Sequence, residues 1–185
     1  MEKLERNTLL NKASIAGAIF GLISGSYIFI NYAIAGMGGM ALGIISTLLW
    51  LAKFIGCILL MRFFMKKLVD EFSDVKNSDT LKFGLLTALF SAIITAAAGY
   101  VATAYVFPDL MNEQIDQMYQ IYGKYLDSNS MSMVDSMMES YPTITFFSQL
   151  IWCFIYGAVL SFILSGKIPA QDPFKDYRNE DSDAE

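Results

Sequence analysis

Histidine is absent from this chain, and cysteine occurs only twice. The missing imidazole removes the commonest zinc ligand and the side chain that ordinarily titrates near neutrality. Cys57 and Cys153 both fall inside apolar runs, where they read as small packing residues and not as a soluble disulfide framework. Charge is scarce as well: 17% of residues are charged against 55% hydrophobic, the mean hydropathy is +0.43 and the net charge is -5. That balance lacks the basic surface of a nucleic-acid-binding protein, so nucleic acid is not expected as a partner. Gly-rich nucleotide loops, metalloprotease helices and nucleophile elbows are missing too. Asp181, Asp183 and Glu185 look superficially like calcium ligands, but the glycine and the rest of such a loop are not there. Neither a catalytic residue nor a cofactor is expected, and the chain reads as a non-enzyme.

What the chain does have is four long apolar blocks. The one that organises the rest is Met40 to Met61, 22 residues with a single formal charge at Lys53. At 1.5 Å per residue a helix of this length is about 33 Å long, enough to cross a hydrocarbon core of about 30 Å. The other blocks run from Ala13 to about Ile34, from about Leu81 to Phe107 before Pro108, and from about Thr143 to Leu164 after Tyr141-Pro142. The first has a basic start and a small-x-small sequence at Ala33-Ile34-Ala35, as a secretory signal would. It exceeds the roughly 7–15 residues of a signal's apolar region, so an uncleaved helix is expected. The fold class expected is all-α: a four-transmembrane-helix bundle with an extracytoplasmic amphipathic helical segment between helices three and four.

Small residues recur at intervals of four in two blocks. Ala13, Gly17, Gly21 and Gly25 make a stripe on the first, and Gly84, Ala88, Ala92 and Ala96 make one on the third. Such stripes let helix backbones approach closely, so Gly17, Gly21, Gly25, Gly84, Ala88, Ala92 and Ala96 are candidate packing residues that join helices one and three. Thr87, Ser91 and Thr95 add a mildly polar line to the third block. Lys53 is the candidate functional residue within the membrane. Two readings fit it: a stem that snorkels toward headgroups, or a polar site on a solute path.

Bases are distributed unevenly. Lys3, Arg6 and Lys12 precede block one; Arg62, Lys66, Lys67, Lys76 and Lys82 follow block two; Lys167, Lys175 and Arg178 follow block four; the opposite side has Lys124 alone. This asymmetry puts both termini in the cytoplasm, with the connection after Arg62 able to continue helix two beyond the membrane and touch anionic headgroups. Residues 109–142 are then extracytoplasmic. Met111, Ile115, Met118, Tyr122 and Tyr125 give 110–126 an apolar face, and a second short helix is expected through Met133, Val134, Met137 and Met138. Six of the eleven methionines lie here. Thioethers bind soft metals, but without accompanying cysteine or histidine the segment reads as an apolar surface, and no metal is assigned. The domain plan is an N-terminal arm (1–12), a transmembrane domain (13–165) and a flexible acidic tail (166–185).

In order and spacing the chain resembles the bacterial membrane-protein family called domain of unknown function 4199. The features that carry the likeness are the glycine turn at Gly36, Gly38 and Gly39, the basic connection, Leu81-Lys82-Phe83-Gly84 entering helix three, Phe107-Pro108-Asp109 leaving it, and the long acidic segment before the last helix. The resemblance implies a multi-pass protein of the inner (cytoplasmic) membrane and brings no activity or site with it. The expected function is that of an accessory or assembly component of the cell envelope. Its partners would be the lipid bilayer and either another copy of itself, as a homo-oligomer, or an envelope protein. The alternative is an oligomeric small-solute or ion transport component built around Lys53.

Overall fold

The computed structural model describes residues 4–35, 40–72, 75–109, 113, 116, 119–121 and 127–168. The glycine turn, most of the segment expected to form the 110–126 helix, and the tail from 169 onward lie outside these residues. Among the described residues four long α-helices make up the architecture: α1 (Arg6–Ala35), α2 (Met40–Glu71), α3 (Asn77–Val101) and α4 (Ser128–Lys167). All four are long and apolar enough to cross a membrane.

α3 is the central element. It packs along α1 on one side and α4 on the other, while α2 touches the other three far less. Small side chains explain the first two seams. Ala13, Ala16, Ala92 and Ala96 are almost wholly buried, and so are Thr87 and Ser161. The Thr87 hydroxyl donates across the α1–α3 seam to the Ala13 carbonyl at 3.5 Å, and Ser161 donates within α4 to the Gly157 carbonyl at 2.6 Å. Hydroxyls that face neighbouring helices are thereby given carbonyl partners in a layer with no water to supply them.

α2 is attached at one end. From Leu42 to Gly56 none of its residues is buried. Cys57, Met61, Met65, Leu68 and Val69 then enter the core with Phe72, joining Leu9, Phe20, Phe83 and Leu164. A salt bridge of 2.8 Å from Lys12 to Glu71 reinforces that end, with the Lys12 ammonium also 5.4 Å from the centre of the Phe72 ring. At the opposite end one side-chain hydrogen bond, from the Ser46 hydroxyl to the Asn31 carbonyl oxygen, links α2 to α1.

Three helix starts differ from those expected, the first being α1, which begins at Arg6 and not at Ala13. α3 starts a turn early, at Asn77, and ends in a π-helical turn over Ala102–Val106 that the Phe107 N–H closes on the Ala102 carbonyl at 2.8 Å. That wider turn sets Phe107 against Phe29 and Tyr32 of α1, with ring centres 6.5 and 6.0 Å apart. The short helix expected around Met133–Met138 and the last membrane block form one helix, Ser128–Lys167, with Pro142 inside it. Proline removes one N–H donor and crowds the carbonyl four residues before it, which weakens a helix locally without obliging it to stop. The start of α4 is instead set by Asp127, whose carboxylate accepts from the Ser130 N–H at 2.8 Å.

Candidate functional site

The splayed half of α2 leaves a cleft of about 270 Å³ against the other three helices. Lys53 lies on its α2 wall, 13 residues after Met40 and 9 before Arg62. These separations place it about 20 Å along the helix from the first and about 13–14 Å from the second, well inside the apolar layer. Its ammonium sits 4.7 Å from the centre of the Tyr27 ring, a cation–π arrangement that offsets part of the cost of removing the charge from water. No carboxylate among the described residues pairs with it.

Aromatic rings make up the front of the cleft. Trp50 stacks on Phe54 at 5.5 Å, Phe54 meets Tyr156 of α4 at 5.6 Å, and Trp152 completes that side. Ser24 of α1 and Thr87 and Ser91 of α3 line the back, and Cys57 and Cys153 complete the floor with Met61 and Leu160. The cleft is open at its side: Trp50 is 50% exposed and Trp152 is 69% exposed. Further along α3, the Thr95 hydroxyl and the Gln149 side-chain carbonyl oxygen, which lies against Gly99, are buried with no hydrogen-bond partner among the described residues. The arrangement can hold an elongated apolar body and present one cation and a few hydroxyls to a polar end. Among the described residues no group of three His, Cys, Asp or Glu comes together to hold a metal.

The two small-residue stripes lie on different seams. A Cβ added at Gly17 would fall 2.6 Å from the Phe90 Cβ, one at Gly21 would fall 2.6 Å from the Ile94 Cβ, and one at Gly25 would fall 3.0 Å from the Ala98 Cβ. The α1 stripe therefore faces α3. Gly84 faces Ser161 and Met65, and Ala88 faces Gly157, so this part of the α3 stripe serves α4 and α2. The expectation that both ladders join helices one and three is corrected for the second: α3 carries narrow faces on two sides because it stands between two helices.

Trp50, Trp152, Tyr27 and Ser24 had not been singled out from sequence. A signal was present: tryptophan in membrane helices is concentrated at the interfaces, whereas Trp50 and Trp152 stand inside apolar runs. That both line one cleft depends on the splay of α2, which no local pattern encodes.

Comparison with known proteins identifies the class. The chain matches, over residues 15–166, the family described as protein of unknown function (DUF4199). It belongs to that family, as a multi-span membrane protein. No curated protein and no solved structure matches it.

Proposed function

We propose that this chain is a non-enzymatic accessory component of the cell envelope that holds a partner within the plane of the membrane. The observation that carries this reading is the attachment of α2 by one end, which opens the bundle toward lipid at the Lys53 cleft instead of through its centre. A conducting protein needs a polar route from one face to the other. Here the one cation of the cleft sits at a side opening, and the α1–α3 and α3–α4 seams are closed by glycine and alanine, with the Thr87 and Ser161 hydroxyls bonded to carbonyls and the Thr95 and Gln149 oxygens, unpartnered among the described residues, sealed away from solvent. Lys53 acts in this reading as a binding and positioning group.

The reading extends to placement. The basic ends of α1, α2, α3 and α4 lie together: Lys12 pairs with Glu71, and Lys82 pairs with Asp79 at 3.2 Å beside Arg6. The positive-inside rule makes that end cytoplasmic, with the chain in the inner membrane of a bacterium and 109–142 outside. Proteoliposomes containing the purified chain test the function. Wild type and Lys53→Leu are expected to show the same absence of ion current and of pH-driven flux. Flux in the wild type that disappears in a well-assembled Lys53→Leu protein would instead establish the oligomeric transport alternative.

A further inference from the structure

We infer that the Lys53 cleft binds the ionised carboxyl end of a single-chain long-chain fatty acid, with the acyl chain leaving sideways between α2 and α4. This deepens the partner-holding reading above and rests on it. Three observations point to the ligand. Lys53 brings one cation into the apolar layer with no acidic side chain beside it among the described residues, so a bound ligand with one negative charge would complete the pair. Hydroxyls of Ser24 and Ser91 line the same cleft and can donate to a second oxygen. The remaining walls, with Trp50, Phe54, Trp152 and Tyr156 foremost, are aromatic and open to lipid, which suits a methylene chain.

Depth and size choose among anionic amphiphiles. Lys53 is about 13–14 Å along α2 from Arg62, whereas a two-chain phospholipid keeps its headgroup in the interfacial layer. A single-chain fatty acid can leave its proton with water at the interface and slide inward along the open side until its carboxylate meets the ammonium. The volume of 270 Å³ corresponds to about nine times a water molecule's share of the liquid, room for a carboxyl group and the adjoining part of one chain. A phosphate monoester would bring a second charge that the cleft has no cation to meet.

The chain's only two tryptophans both line the cleft, so occupancy can be read from intrinsic fluorescence. The full chain in nanodiscs of phosphatidylcholine is titrated with dibromostearate, its methyl ester and a dibrominated phosphatidylglycerol. The expected result is saturable quenching by the acid, reversed by unlabelled stearate, with only the weak unsaturable quenching of bulk lipid from the other two probes. Lys53→Gln should raise the half-quenching concentration about tenfold or more, and Lys53→Arg should keep it near wild type. Equal quenching by acid and methyl ester in the wild type overturns the inference even if the Gln variant fails to assemble. Saturable quenching by the phosphatidylglycerol that stearate does not displace overturns it in favour of a headgroup site. Loss of the fatty-acid signal with flux still absent rejects this ligand alone, whereas Lys53-dependent flux rejects the partner-holding reading beneath it.

Discussion

An added methyl group divides the glycines of this bundle into two kinds. At Gly17 it would meet the Phe90 Cβ at 2.6 Å and the Thr87 carbonyl oxygen at 2.9 Å, and backbone cannot swing aside. At Gly56 it would meet nothing within 4 Å. Gly17→Ala should therefore cost about 1–3 kcal/mol by overpacking, while Gly56→Ala should be neutral or gain up to about 1 kcal/mol from helix propensity. Unfolding of the two variants in mixed micelles checks this, and equal shifts would mean that the α1–α3 seam is looser than the structure has it. The spacing of four made these stripes legible in the sequence, because a narrow helix face needs small residues there. What each stripe meets was not legible: the pattern at Gly84 and Ala88 is the same whether α1 or α4 approaches.

Helices differ in how they are held. α2 depends on its last third, where Met65 is fully buried, while Leu48 in the splayed half is 59% exposed. Met65→Ala should cost about 2–5 kcal/mol, and Leu48→Ala should stay within about 0.5 kcal/mol. The same unfolding measurement separates them; comparable losses would show that something covers the free half of α2. For α4 the controlling element is its first residue pair. The bond from Ser130 holds the Asp127 carboxyl below the usual carboxylate range. A lowered native pKa means that the cap is fully present above the ordinary aspartate range of about 4 and is lost as pH falls through the lowered value. Amide exchange at Ser130 and Met131 should accelerate over that interval in wild type, and in Asp127→Ala it should be fast already at neutral pH. The lengths of all four apolar blocks could be seen in the sequence, since the hydrocarbon thickness dictates them. The continuity of α4 through Pro142 could not, because a proline that ends one helix can stand inside another whose flanking turns remain bonded.

At the scale of the whole molecule, the proposed topology of four crossings makes the two chain ends a linked pair. Reporter fusions at both should give cytoplasmic signals, and a cysteine at Ser130 should react with an impermeant label applied to intact cells; labelling of either end from outside would reverse the orientation argued from Lys12, Lys82 and Lys167. The position of α3 between α1 and α4 also has a consequence in time. The α1 stripe finds its partners at Phe90, Ile94 and Ala98, so it enters the membrane before its counterpart has been synthesised. At about 5–20 residues per second, the roughly 73 residues from Gly25 to Ala98 take about 4–15 s to make. During that interval α1 and α2 form a nascent pair whose main mutual support is the cluster around Met65 and the Lys12–Glu71 bridge. Ribosomes arrested soon after Phe72 should accordingly display chains that membrane proteases clear quickly, and arrest beyond Val106 should protect them.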